Sequence, residues 1–389
     1  MPRDVWILLL AQFLTAFADN ALLFAAIEMI GGAQADKSYV AALQASFVVA
    51  YVVLAAWVGP FADLKPKGRV LTWANAVKAL GAALLLAGLE PLIAYCLVGV
   101  GAVMYSPAKY GILPELVDGE RLMRANAWVE GATIAAIILG MLAGAALAEY
   151  SVTVALAAIM GLFILSGALA LFIRPLPPVI TVPPPASRWL RAALADFMAA
   201  ARDVLAQPRG RFTLLGSALF WSSAALLRLM VIAWAPVVLA VTTTTGIAEL
   251  TLWTALGIAV GAFIAPRVIG LDSVRRARFA AWAMGLAIIL LGLSDDVGFA
   301  RVALFAAGVA GGLFVVPVNA VLQDIGHRGS GSGAVVGVQR FAENLAMLLA
   351  TAVYALAVHL GLPPVVALLG LGGLVFLATW WVSRQLPTR

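Results

Sequence analysis

Apolar stretches long enough to cross a lipid bilayer recur along the whole chain, and they leave little room for any other architecture. A spanning helix needs about 20 predominantly apolar residues. Such runs fall near residues 5–27, 39–62, 70–89, 92–113, 125–149 and 152–173. After a polar stretch, six more follow near 212–241, 247–270, 279–293, 299–322, 334–359 and 364–382. The polar–apolar alternation and short amphipathic strands of a membrane β-barrel are missing, so the spans are predicted to be helices. Composition removes the soluble alternative. Of the 389 residues, 63% are hydrophobic and only 11% charged, against roughly 25% charged in soluble domains. In water such a chain would expose large apolar patches. The predicted class is therefore an all-α membrane protein with 12 transmembrane helices.

The first run contains Ala16-Phe17-Ala18, which looks like a signal-peptide cleavage site. Its basic region is only Arg3 offset by Asp4, and Asp19-Asn20 interrupt the apolar run, so it is retained as span one. The longest polar segment covers residues 174–211 and opens with Pro175, Pro177, Pro178 and Pro183-Pro184-Pro185, which cannot continue a helix. Beyond them, Trp189, Leu190, Leu194, Phe197, Met198 and Leu205 alternate with Arg188, Arg191, Arg202 and Asp203, the pattern of an amphipathic helix at a membrane surface. The segment divides the chain into an N-terminal six-helix bundle (1–173), a linker with an amphipathic helix (174–211) and a C-terminal six-helix bundle (212–389). Equal halves suggest a duplicated, pseudo-symmetric unit.

Basic residues set the orientation. With both termini cytoplasmic, 19 of the 25 Lys and Arg residues fall on the cytoplasmic side, and only Lys37 and Arg301 on the other. That bias is the positive-inside pattern. The net charge of +6 then reflects topology and contact with anionic lipids, and no nucleic-acid partner is expected. The single Cys96 excludes an intrachain disulfide framework, and with only His327 and His359 no metal, cofactor or His-based catalysis is expected.

Four cations remain inside the predicted spans, namely Lys78, Lys109, Arg228 and Arg340, with the acids Asp19, Glu130 and Glu343 and, near a helix end, Glu28. An ionisable group at mid-bilayer costs at least about 2.5–3.5 kcal/mol, so such residues face a cavity or one another. For Lys78 and Glu130 a structural ion pair competes evenly with a functional role. The halves also resemble each other. Phe17-Ala18-Asp19-Asn20-Ala21-Leu22-Leu23 aligns with Trp221-Ser222-Ser223-Ala224-Ala225-Leu226-Leu227, with Arg228 directly following. Asn126-Ala127-Trp128-Val129-Glu130 likewise matches Gln339-Arg340-Phe341-Ala342-Glu343. Gly140-x-x-x-Gly144 and Gly257-x-x-x-Gly261 read as close helix packing rather than sites.

Between spans two and three, Gly59-Pro60-Phe61-Ala62-Asp63-Leu64-Lys65-Pro66-Lys67-Gly68-Arg69 resembles the signature loop of the major facilitator superfamily. The gap between Asp63 and Gly68 is two residues longer than the family pattern. Asp63 is expected to cap or pair with a neighbouring helix and stabilise one access state, with Gly59, Lys67, Gly68 and Arg69 completing a gating loop. More specific resemblances lie elsewhere. Residues 16–24 (AFADNALLF), 105–113 (YSPAKYGIL), 131–140, 315–320 (VVPVNA) and 343–349 (ENLAMLL) closely resemble the bacterial lysophospholipid transporter family, LplT.

What this resemblance implies is a major facilitator fold, and a flippase of the bacterial cytoplasmic (inner) membrane. Members move lysophosphatidylethanolamine and related lysophospholipids from the outer to the inner leaflet, where a separate cytoplasmic-side acyltransferase is an implied partner. The chain itself is expected not to be an enzyme, and a monomer is the superfamily expectation. The substrate offers a phosphate, often an ammonium, and one acyl tail. Arginine forks onto phosphate oxygens and lysine supplies a compact charge. Arg228 and Lys109 are accordingly assigned to the phosphate, with Arg340 a further cation. Asp19 is assigned to the ammonium, with Glu130 and Glu343 as weaker candidates, and Asn20, Asn126 and Asn319 as neutral hydrogen-bonding groups. Alternating access is the expected mechanism. A proton-coupled drug or small-metabolite exporter of the same superfamily has the same composition and topology, and it stays open at this point.

Overall fold

The computed structural model describes every residue except 32–36, 179–188, 242–243, 330–331 and 385–389. The second proline run and Arg188 of the linker lie outside the described residues. Fourteen α-helices and one 3-10 turn carry the described chain: α1 (Arg3–Met29), α2 (Lys37–Asp63), α3 (Lys67–Leu86), α4 (Pro91–Gly111), α5 (Leu113–Leu116), α6 (Gly119–Tyr150) and α7 (Val152–Ala170) come first. They are followed by α8 (Trp189–Ala206), α9 (Pro208–Val238), α10 (Thr244–Val268), the 3-10 turn (Leu271–Arg276), α11 (Ala277–Gly292), α12 (Val297–Arg328), α13 (Ser332–His359) and α14 (Pro364–Ser383).

Among the described residues, eleven helices are long and apolar enough to cross a membrane. The twelfth expected span is α11. Its 16 residues give about 24 Å at 1.5 Å per residue, short of a hydrocarbon core of about 30 Å. The preceding turn, with Arg275 and Arg276, winds as a 3-10 helix instead of extending it. Sequence chemistry fixes other ends. Ser151 accepts a hydrogen bond from the Val154 amide to cap α7, and Glu90 does the same for Ile93 ahead of Pro91 in α4. Gly88 closes α3 and Gly361 closes α13 at φ of +84° and +86°, a region where other residues are strained.

The chain forms two compact units. The first comprises Met1–Asp118, Ala132–Arg202 and Gln323–Phe341. In it α3 packs on α4 and α7, α1 on α7, and α2 on α4. Its core includes Ala18, Leu22, Leu43, Val98, Leu156 and Phe163. Gly140 and Gly144 of α6 sit directly against the backbone of Phe17 and Ala21, leaving no room for a side chain. Helix α8 buries Ala193, Phe197 and Ala200 and exposes Leu190, Leu194 and Met198. The Trp57 indole donates to the Leu190 carbonyl at 3.2 Å. The Phe197 ring meets Phe341 edge-on at 5.7 Å. Trp57 lies six residues before the end of α2 and Phe341 nine residues into α13, about 9 and 13 Å along their helices. Helix α8 therefore lies along the flanks of spanning helices and not beyond their ends.

The second unit comprises Gly119–Gly131, Asp203–Leu322 and Ala342–Arg389. Here α14 packs on α11 and α9. Gly257 and Gly261 of α10 abut the backbone of Phe305 and Val309 on α12, so both glycine pairs act as packing features.

Candidate functional site

In the first unit a polar network runs through the membrane-spanning core. Gln12, Thr15 and Asp19 lie three and four residues apart on α1 and so share one face. Opposite them are Asn75 and Lys78 of α3. Lys78 is 1% exposed. Its ammonium donates to Asp19 Oδ2 at 2.6 Å and to Thr15 Oγ1 at 3.0 Å. Thr15 donates to Asn75 Oδ1 at 2.8 Å, Asn75 to Ser166 Oγ at 3.1 Å, and Ser166 to the Ala11 carbonyl at 2.7 Å. The rings of Tyr105 and Phe163 lie 5.1 and 5.6 Å from the Lys78 ammonium. The chain of donors is continuous, as a buried charge requires. Asp19 keeps one oxygen in reserve: Oδ1 is buried and accepts no hydrogen bond among the described residues.

A second cluster gathers two of the candidate cations. The Lys109 ammonium lies 4.1 Å from the centre of the Tyr110 ring, and the Arg340 guanidinium lies 4.4 Å from the same ring. Lys109 is held there by α4 just past Pro107, and it is buried. One tyrosine thus braces two positive charges through its ring face.

The remaining candidates are placed as follows. Glu130 accepts from Asn319 Nδ2 at 3.0 Å, both buried, so α6 and α12 meet through two of the predicted residues. Glu343 accepts from the Ser217 hydroxyl. Asn126 and Asn20 donate to carbonyls of their own helices, those of Leu122 and Ala16. Arg228 is exposed on α9.

The signature loop is a built contact. Asp63 Oδ1 accepts the Gly333 amide at 3.0 Å and Oδ2 accepts the Ala334 amide at 2.9 Å. Both amides belong to the first turn of α13, where orphan N–H groups and the helix dipole favour an anion. Lys67 lies 3.2 Å from Asp63 and also donates to Glu115. Asp63 and Lys67 are 1% and 2% exposed. A Cβ on Gly59 would lie 2.6 Å from the Gly333 carbonyl, and one on Gly333 would lie 2.7 Å from the Gly59 carbonyl. The two backbones touch, and only glycine permits it. Gly68 packs the start of α3 against Ala170, while Arg69 stays exposed.

Sequence reasoning missed Gln12, Thr15, Asn75, Ser166, Tyr110, Ser217 and Glu115. Helical spacing from Asp19 points to the α1 pair. Lys67 and Glu115, 48 residues apart, have no local signal.

Comparison with known proteins follows the same lines. The model of the Major Facilitator Superfamily matches residues 8–351. The lysophospholipid transporter LplT of Citrobacter koseri is 40% identical over 381 residues, covering 97% of this chain and 95% of that protein. The protein of that name from Escherichia coli K12 is 41% identical over 379 residues, covering 97% and 95%. Among solved structures, the superfamily transporter FucP in the outward conformation superposes with a TM-score of 0.78 at 13% identity, covering 99% of each chain. That last likeness concerns the fold alone.

Proposed function

The chain belongs to the Major Facilitator Superfamily and, within it, to the lysophospholipid transporter family, and from that premise we propose that it moves lysophospholipids from the outer to the inner leaflet of the bacterial cytoplasmic membrane. The observation that carries this reading is identity of 40–41% with lysophospholipid transporters over 97% of the chain. Relatives of that similarity along the full length leave the exporter reading without comparable support. Both termini face the cytoplasm, as the distribution of lysine and arginine favours, and α8 lies along the flanks of the spans on that side. A separate acyltransferase on that side restores the second chain.

Head-group recognition draws on the two clusters. The phosphate is held by Lys109 and Arg340, which share the Tyr110 ring, with Arg228 as the exposed cation that meets it first. The ammonium goes to Asp19, whose Oδ1 is the acceptor left over from the Lys78 pair. Binding a cation there replaces part of Lys78's hold on the acid, so substrate and Lys78 compete for one carboxylate. Glu130 with Asn319, and Glu343 with Ser217, are joints between helices that relay the change. Transport proceeds by alternating access. The Asp63 cap on α13 holds one access state and parts in the other, because a ligand shifts such an equilibrium only through unequal affinity for the two states.

The test is inward movement of head-group-labelled lysophosphatidylethanolamine into liposomes holding the purified protein, beside Asp19→Asn and Arg340→Ala. Movement above empty liposomes that Asp19→Asn loses and that Arg340→Ala shifts to higher lysophospholipid concentration supports the proposal. No movement by the folded wild type overturns it.

A further inference from the structure

One cavity takes no part in any of these contacts. It measures about 320 Å³ and lies between α6 and α10 in the second unit, lined by Arg124, Ala127, Trp128, Phe263, Pro266 and Arg267. Its layering is informative. Trp128 and Phe263 meet edge-on with centroids 5.2 Å apart, so they stand at one level. Arg124 precedes Trp128 by one turn and Arg267 follows Phe263 by one turn. Since both arginines line the same cavity, the helices run antiparallel there, with the two arginine positions one turn nearer the helix ends than the two aromatic positions. Arg267 lies next to the end of α10, and Arg124 in the second turn of α6. The cationic layer is thus at helix-end depth, where head groups lie, and the aromatic layer is at the depth of the interfacial belt.

The charges are available. Arg267 spends one N–H on the Phe263 carbonyl at 3.0 Å, which folds the guanidinium back 5.6 Å from the Phe263 ring. Arg124 lies 4.0 Å from Glu120, itself 89% exposed, a separation and exposure that contribute little. Among the described residues lining the cavity there is no carboxylate. By contrast, the cavity of about 250 Å³ between α9 and α14 is lined by Phe212, Leu219, Phe314 and Val382 with little polar surface.

We propose that the α6–α10 cavity binds the head group of an anionic two-chain glycerophospholipid from the arginine-rich leaflet. The phosphate lies between Arg124 and Arg267, and the glycerol and first acyl carbons rest on Trp128 and Phe263. Guanidinium forks match phosphate oxygens, and basic pockets between spanning helices suit such head groups. With two cations and no lining acid, the site discriminates against a lipid whose head group carries an ammonium. It is therefore distinct in charge preference from the Asp19 region, which supplies an acid for that ammonium. Assigning the leaflet to the cytoplasmic side rests on the topology proposed above.

Native mass spectrometry of the purified full chain, exchanged against phosphatidylglycerol or phosphatidylcholine, reads the retained lipid directly. The wild type is expected to retain one phosphatidylglycerol in preference to phosphatidylcholine. An Arg124→Gln/Arg267→Gln double variant is expected to weaken that retention by roughly tenfold or more, with Arg124→Lys/Arg267→Lys intermediate. No preference in the wild type, or equal retention by the glutamine variant with its melting temperature unchanged, overturns the proposal. So does displacement at equal concentration by lysophosphatidylethanolamine, which would make the cavity part of the substrate's path, or by inorganic phosphate, which would make it an anion site without lipid specificity. Lysophospholipid movement is followed in parallel in phosphatidylcholine liposomes. Movement without phosphatidylglycerol retention refutes this inference alone, and retention without movement refutes the transport reading alone.

Discussion

Replacing Asp63 with asparagine keeps the shape of the side chain that caps α13 and removes its charge. The carboxylate takes two backbone amides, at 3.0 and 2.9 Å, at a site 1% exposed. An amide side chain still accepts one of them, but its NH₂ group then faces the other N–H, donor against donor. One charge-assisted hydrogen bond is lost, about 1.5–3 kcal/mol, and the Lys67 pair weakens, while Lys67 keeps Glu115. A net loss of about 2–3 kcal/mol moves the equilibrium between capped and uncapped α13 by roughly 25- to 150-fold. The assay uses a Cys96→Ser background carrying Val336→Cys, a position on α13 that is 0% exposed. The rate of modification by an impermeant maleimide reports the open fraction when closing is fast. Asp63→Asn is expected to raise that rate by the factor above without lowering the melting temperature by more than a few degrees. A rate within twofold of wild type in a folded variant would refute the idea that this cap governs the opening.

Other perturbations follow from the same contacts. Lys78→Met leaves a buried carboxylate without its ammonium and is expected to destabilise by about 3–5 kcal/mol. Asp19→Asn/Lys78→Met recovers most of that loss, as read by thermal unfolding in detergent. Gly261→Leu drives a side chain into the Val309 backbone and is expected to cost at least about 1–3 kcal/mol. Gly131→Ala meets open space in mid-helix and is expected to be neutral or to stabilise by about 0.5–1 kcal/mol. Arg340→Ala is expected to raise the lysophospholipid concentration for half-maximal movement by roughly tenfold, with Arg340→Lys partly restoring it and no change in expression.

Hydropathy and helical spacing made the spans legible, because each buries or exposes apolar surface along its own length. They mistook some edges. Helix α6 starts at Gly119, several residues ahead of its apolar run, because charged Glu120, Arg121 and Arg124 continue the helix into the head-group region. Helix α11 is shorter than its neighbours because a 3-10 turn takes its first residues. At the site, embedded charges announced themselves by their cost: Asp19, Glu130 and Glu343 lie in hydrogen bonds and Lys109 against the Tyr110 ring, while Arg228 is exposed. Their partners were less visible. Asn319 is 189 residues from Glu130, and Gly333 is 270 from Asp63. Such pairings depend on which helices become neighbours, and a local pattern holds no record of that.

The distance between Asp63 and its cap also has a consequence for biogenesis. At roughly 5–20 residues per second, the ribosome needs on the order of 15–50 s after Asp63 to deliver Gly333, which is 270 residues later. Through that interval the nascent chain already holds α2 in the translocon or bilayer, with a carboxylate whose final donors do not yet exist. Lys67, one helical turn away, is translated almost at once and can neutralise it, and Glu115 joins about 50 residues later. The lysine that looks like part of a gate is thus the carboxylate's first partner in the lifetime of the molecule, and the α13 amides are its last.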